Sequence, residues 1–291
     1  MKNKIILSAV LSFFIISMTW TPPAKAQMIK EAVMGLFLDA PSRADADRFY
    51  MRYHAPEVIY KSGPWLRRYV SFQSYDPPPE AVERFGAVGG RYAELWFGSV
   101  EEFNSRPSGG AFTIAPWEED RGQSMPKGGK IGTHVPAVPT EIFYDPSPNP
   151  EKTPIIRWVT AIDYPEGVTV QEGEKWFLEV HAKEALKQPG LLKFISYRCL
   201  DEGAMRLPGM GDSPSPGGEI PKRGKDEAHS WVRVNEYWYR DLDGWREAVI
   251  ESPPEYTPPP WGGEYPFVRM GSTFIGYKWN IDFLKGDYIV P

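Results

Sequence analysis

Two histidines occupy matching places in this sequence, and each has a carboxylate three residues beyond it. His54 is followed by Ala55-Pro56-Glu57, and His181 by Ala182-Lys183-Glu184. A histidine titrates near neutrality, so it can take a proton from a substrate and return it, which makes it the usual general acid–base residue. The stretches leading to them match as well: residues 42–54 read SRADADRFYMRYH and residues 169–181 read TVQEGEKWFLEVH. Each opens on an N-cap residue, Ser42 or Thr169, with an acid three positions later, Asp45 or Glu172. This spacing predicts one amphipathic helix used twice. Tyr50, His54 and Glu57 then share a face, Phe49 and Tyr53 form the neighbouring stripe, and Phe177, His181 and Glu184 repeat the face in the second copy. A histidine in the last turn of a helix is also favoured because its charged form complements the helix dipole, so a structural role stands beside the catalytic one.

A second pair of motifs follows. Glu94-Leu95-Trp96-Phe97 matches Glu236-Tyr237-Trp238-Tyr239. Strand side chains alternate between faces. If Leu95 and Phe97 point to an interface between two sheets, Glu94 and Trp96, like Glu236 and Trp238, point toward the helices. Each tryptophan would then stack on a flat ligand, and each glutamate would orient a histidine or accept a proton. The plainer alternative is a core tryptophan with a glutamate at a strand end. Arg67, Arg68 and Arg91 could bind a substrate carboxylate or be solvated strand charges. His134 and His229 lie in or beside long loops, and no H-x-x-x-H or H-E-x-x-H spacing is present, so no metal site is expected. Cys199 is the sole cysteine, which excludes an internal disulfide and suits a small buried hydrophobe. Asp39 and Asp163 read as turn formers at the ends of the first strands.

The elements that must position these residues also come twice. In the first half, strands are expected at 31–39, 66–75, 91–97 and 140–144, with helices opening at Ser42 and Ser99 and a loop from 76 to 90. In the second, strands are expected at 155–164, 191–197, 229–239 and 273–279, with helices opening at Thr169 and Asp241. The order strand, helix, strand, strand, helix, strand is the ferredoxin-like arrangement. The offset between halves is 127 residues at the histidines, 125 at Leu66/Leu191 and 142 at Trp96/Trp238, which puts the added residues in the Pro/Gly-rich stretch 201–227, a lid or a disordered insert. One such sheet leaves a face uncovered, and covering it stabilises by about 25 cal/mol per Å² of apolar area. Two copies in one chain can cover each other. The expected fold is therefore α+β: two tandem ferredoxin-like (βαββαβ) domains, 27–145 and 155–291, joined by a linker at 146–154, with antiparallel sheets packed face to face as an intrachain α/β barrel. A monomer or a homodimer would satisfy it.

The 291 residues carry a net charge of −5 with no basic block, which argues against nucleic acid as a partner. A 14% aromatic content points to a small aromatic or apolar ligand. Residues 1–26 read as a signal peptide: Lys2 and Lys4, then an apolar run from Ile5, then Ala24-Lys25-Ala26 as the cleavage site. The run is shorter than the ~20 residues a spanning helix needs. Export to a bacterial periplasm is expected, with no membrane association after cleavage following Ala26.

The strings FYMRYHAPEV, LRRYVSF and ELWFGSVEEF make the first half resemble the EthD-like branch of the dimeric α/β-barrel superfamily. WFLEVHAKEA, LKFISYR and EYWYRDLDGW resemble a diverged second copy. The resemblance spans roughly residues 30–145 and 155–280. It implies a pocket between the sheet and the helices of each copy. Members of the superfamily include cyclases, dehydratases, isomerases, lyases, monooxygenases and haem proteins, so the fold does not fix the function. The leading expectation is a cofactor-independent lyase, dehydratase or isomerase acting on a small aromatic or polyketide-like molecule. His54 and His181 would be acid–base residues supported by Glu94 and Glu236. Tyr50, Tyr53, Glu57, Arg68, Trp96, Phe177 and Trp238 would contact the substrate. The alternatives are a haem protein with His181 as axial ligand, and a periplasmic binding protein without chemistry.

Overall fold

The computed structural model describes residues 27–37, 40–106, 113, 115–117, 131–146, 155–165, 167–200, 231–262, 269–284 and 287–288. The expected leader, the linker from 147 onward, the 201–227 stretch, Asp39 and His229 lie outside the described residues.

The first half runs β1 (Ile29–Leu36), α1 (Arg43–Phe49), a π-helical turn (Tyr50–His54), α2 (Ala55–Ser62), β2 (Leu66–Ser74), α3 (Pro79–Phe85), β3 (Arg91–Phe97), α4 (Val100–Asn104), β4 (Ile131–Pro136) and β5 (Glu141–Tyr144). The second runs β6 (Ile156–Asp163), α5 (Val170–Trp176), a π-helical turn (Phe177–His181), α6 (Ala182–Ala185), β7 (Lys193–Arg198), β8 (Arg233–Tyr239), α7 (Leu242–Arg246), a third π-helical turn (Glu247–Glu251), β9 (Arg269–Asp282) and β10 (Asp287–Tyr288). The caps form as the sequence requires. Ser42 accepts from the Asp45 backbone N–H, and Thr169 with Glu172 makes a full capping box.

The strands form one antiparallel sheet in the order β4-β1-β3-β2-β9-β6-β8-β7-β5, with β10 on β9. In each half the order is fourth, first, third, second, the ferredoxin-like order. The fourth strands join the halves. β9 pairs with β6 through residues 269–276 and with β2 through 275 and 280–282. In the first half, 140–144 was expected to be the fourth strand. Instead β4 pairs with β1, and β5 pairs with β7 of the second half. Pro136 and Pro139 break the run between them, because proline cannot donate to a ladder. The Leu200 N–H donates to the His134 carbonyl at 2.8 Å and closes this second seam. The expected loop 76–90 contains α3. Pro79 occupies its first turn and Gly86 ends it with a left-handed φ of 55°, both signals present in the sequence.

The face assignment of the strands is the reverse of the expectation. Leu95 and Phe97 pack with Phe49, Tyr50 and Phe103 under the first-half helices. Tyr237 and Tyr239 pack with Trp176, Phe177 and Trp245 under the second-half helices. Tyr92, Glu94 and Trp96 therefore point into the barrel, as do Val234, Glu236 and Trp238. The helix layer is largely apolar at these contacts and takes the apolar and aromatic residues. The interior accepts charge because each carboxylate meets a cation of its own half and Lys30 also faces the carboxylate of the other. Lys30 Nζ lies 3.2 Å from Glu94 and 3.8 Å from Glu236, and Arg157 Nη1 lies 3.4 Å from Glu236. Burial raises the Glu94 pKa, but Lys30 and Arg157, with hydrogen bonds from Lys30 and Tyr92, hold it below the usual carboxylate value.

Gly173 shows how tightly the second helix layer is built. A Cβ there would lie 2.3 Å from the Tyr164 ring. Gly173→Ala is expected to destabilise the protein by about 1–3 kcal/mol through overpacking, and Tyr164→Ala in the same chain should relieve most of the clash. Denaturant unfolding of the two single variants and the double variant checks this.

Candidate functional site

The two histidines end equivalent π turns. The Ala55 N–H reaches back to the Tyr50 carbonyl, and the Ala182 N–H to that of Phe177, each spanning one residue more than an α-helix allows. Such bulges are frequent at functional sites. Beyond that, the two environments differ. The His181 imidazole is 4% exposed and stacks between Trp176 and Tyr256 at 24° to each, with Phe177 at 5.3 Å. Tyr256 is itself held by Gln188, which also accepts from Tyr239. His54 is less enclosed, with Phe37 edge-on at 5.2 Å and Tyr50 at 5.3 Å. Burial lowers both pKa values, to about 4 for His54 and about 3 for His181. Both rings are therefore neutral at pH 7.

The glutamates after the histidines work as staples. Glu57 accepts from the backbone N–H of Thr113 at 2.9 Å and from its hydroxyl. Glu184 does the same with Thr257, at 2.9 and 2.6 Å. Each clamps a loop that lays a tryptophan on the helix layer: Trp117 against Phe37 and Phe49, Trp261 against Tyr164 and Trp176. Tyr53 lies on the surface, 47% exposed, tilted against Phe49.

The expected site residues thus divide between the two faces of the sheet. Tyr50, Tyr53, His54, Glu57, Phe177 and His181 belong to the helix side. Glu94, Trp96, Arg68, Glu236 and Trp238 belong to the barrel interior and its ends. Glu94 and Glu236 cannot support the histidines across the sheet, because the reversed faces put a strand between them. Trp238 donates to Glu236 at 3.2 Å, while Arg68 bonds Asp282 at 3.1 Å and covers Trp96. These contacts hold the interior together.

A cleft of about 280 Å³ opens elsewhere, between the end of β1, the start of α1 and the residues before β3. Leu36, Phe37 and Ala46 give it an apolar wall; Arg43, Asp47 and Arg91 give it charge. Arg91 is 7% exposed, donates to Asp47 at 2.9 Å and Ser71 at 3.1 Å, and lies over the Tyr50 ring at 4.6 Å. Behind it the Tyr50 and Tyr69 hydroxyls meet at 2.5 Å. Burial raises both phenol pKa values, so both stay protonated.

The second copy repeats this wiring and closes the space. Arg233 takes the place of Arg91, Glu174 that of Asp47 and Ser196 that of Ser71. Arg233 also binds Glu141, supplied by β5. Tyr164, the counterpart of Phe37, lies over Gly173 and donates to Glu174 at 3.0 Å. Phe177 and Phe194 stand where Tyr50 and Tyr69 stand. In the first copy Phe37 turns under the helix instead, with a φ of 58°, a costly backbone for a bulky residue and one that recurs at ligand sites. Ala46, opposite Gly173 in the repeat, is left lining the cleft. Arg43, Asp47 and Tyr69 were not among the expected site residues. The repeat carried a signal for Asp47: Asp47/Glu174 recurs at the histidine offset, and Arg91/Arg233 at the tryptophan offset.

His181, the residue expected as a haem axial ligand, is buried among the Trp176, Phe177 and Tyr256 rings. Among the described residues, no group of three His, Cys, Asp or Glu side chains could hold a metal ion, and no helix is long and apolar enough to cross a membrane.

No protein-family model matches the sequence, and no curated protein matches it significantly. Solved structures do overlap it. An anthrone oxidase-like protein does so at 10% identity and a TM-score of 0.45, over 92% of this chain and 97% of that one. A proposed monooxygenase from Fusobacterium nucleatum does so at 10% identity and 0.34, over 89% and 99%. A proposed chlorite dismutase does so at 13% identity and 0.35, over 91% and 98%. Overlaps this loose say nothing about activity, and the topology of the chain itself shows the ferredoxin-like α/β barrel.

The depressed histidines make stability depend on pH in a fixed direction. Both have folded pKa values below the ordinary value of about 6.5, so the unfolded chain binds more protons between the two. Their contribution is flat above pH 6.5 and is lost as pH falls, through about 4 for His54 and about 3 for His181. NMR titration of the imidazoles should find both neutral at pH 6, with His181 the last to protonate.

Proposed function

We propose that this chain is an exported α/β-barrel protein of the EthD-like kind that binds a small, flat organic molecule in the cleft of its first copy. The observation that carries this is the break in internal symmetry. The two copies share an Arg–carboxylate–Ser core, but Tyr164 and Glu141 close the second around Arg233, whereas Phe37 turns aside and leaves the first open beside Arg91. A cleft with one apolar wall and a few fixed polar groups is the usual form of a ligand site. Bulk at Ala46 should abolish binding: flat organic molecules that raise the melting temperature of the wild type should have no effect on Ala46→Leu. If they stabilise that variant equally, the ligand sits elsewhere.

A second reading, an acid–base enzyme of the lyase, dehydratase or isomerase type, is favoured by the Tyr50–Tyr69 pair. These hydroxyls are buried behind Arg91, which lies over the Tyr50 ring and donates to Ser71, and their counterparts Phe177 and Phe194 have no hydroxyl. On this reading a phenol is the proton donor, and His54, behind Phe37, packs against Tyr50. Tyr50→Phe should lower turnover at least ten-fold with ligand binding retained. It should also destabilise the fold by about 1–3 kcal/mol, because Tyr69 loses its buried partner.

A further inference from the structure

Arg43 is the one cation of this cleft that a ligand could recruit without breaking the core. Its Nη2 donates to the Ser74 carbonyl at 2.6 Å and to Asp76 at 3.0 Å. The Arg43 side chain is 43% exposed and that of Asp76 is 89% exposed. An ion pair so open to water holds weakly, and Asp76 can return to solvent at little cost. Arg91, by contrast, is buried and committed to Asp47 and Ser71. The cleft therefore has two cations and two carboxylates, with a single exchangeable position for negative charge at its rim.

Resting on the reading that this cleft is the binding site, we propose that its ligand is an aromatic monocarboxylate of one or two rings. The carboxylate takes the place of Asp76 on Arg43, whose planar fork matches a carboxylate in two parallel bonds. The rings lie against Leu36, Phe37 and Ala46, and Pro77 closes the rim beside Arg43. Asp47 sets the upper limit on charge: fixed by Arg91 and Gln73, it stays in the cleft wall and repels a dianion such as a phosphate monoester. About 280 Å³ lies just below the roughly 300 to 1,000 Å³ of ligand sites, which suits one or two rings.

The test compares 2-naphthoate with its neutral analogue 2-naphthamide, by calorimetry at pH 7 on the mature chain. Naphthoate should bind once per chain and at least ten-fold more tightly than the amide. Arg43→Gln should bring naphthoate down to the level of the amide and leave the amide unchanged. Asp76→Asn, which weakens the competitor and touches no packed residue, should tighten naphthoate. Ala46→Leu should block both probes. If acid and amide bind alike and Ala46→Leu blocks both, the carboxylate inference is overturned while the cleft remains the site. If naphthoate does not bind the wild type, or binds Ala46→Leu undiminished, both the inference and the assignment of the cleft are overturned.

Discussion

Everything in this molecule is arranged around four charges at the centre of the barrel. Lys30 and Arg157 occupy equivalent positions on the first strands of the two halves, and Glu94 and Glu236 occupy equivalent positions on the third. Lys30 bonds its own Glu94 and also faces Glu236 across the barrel, while Arg157 supports Glu236. Taking such groups out of water costs several kcal/mol per ion, and only close opposite charge offsets it. The register of the sheet brings both carboxylates to Lys30. Aromatic rings finish the arrangement: Lys30 lies 4.2 Å from the Tyr197 ring, and Arg157 lies 4.4 Å from that of Phe72, its counterpart. The same register places β9 beside β2 and β5 beside β7, so each half supplies a strand to the other.

With the frame shared, the copies are free to differ on the helix side. There the same Arg–carboxylate–Ser core occurs twice, yet the second copy is filled by rings and an additional glutamate while the first keeps a cleft. The second copy is packed at this place and the first is left with a cleft. The strand β5 contributes to this division, since Glu141 from the first half closes the arginine of the second. The duplication thus does more than cover an exposed sheet: each half supplies part of the other's environment.

The fold was legible in the sequence because its signals are local. Caps at Ser42 and Thr169, the alternation of 91–97 and 233–239, and the order of elements come from neighbouring residues, and the repeat doubled each of them. The face assignment was not legible. Period-two alternation says that Glu94 and Leu95 point opposite ways but not which way is in. The assumption that the more apolar pair meets the other sheet fails because the interior charges find partners on neighbouring strands and across the barrel, all of them far apart in sequence. The fourth strand of the first half was misplaced for a related reason, since its two pieces pair with different halves. Of the candidate site residues, the repeated His–Glu motif stood out by spacing, yet its glutamates bind Thr113 and Thr257 and its histidines sit among rings. The more informative signal was the place where the repeat changes: Tyr50 against Phe177, Phe37 against Tyr164, Ala46 against Gly173.

The central claim is that charge shared between the halves makes them one body, and a double-mutant cycle measures it directly. Unfolding free energies of Lys30→Met, Glu236→Gln and the double variant give the coupling between two residues on different halves. The account predicts that each single change destabilises and that their coupling exceeds about 1 kcal/mol, the range found for residues in one buried charge network. Additivity within about 0.5 kcal/mol would contradict it, and would mean that the halves are held together by their strand pairing and apolar packing alone.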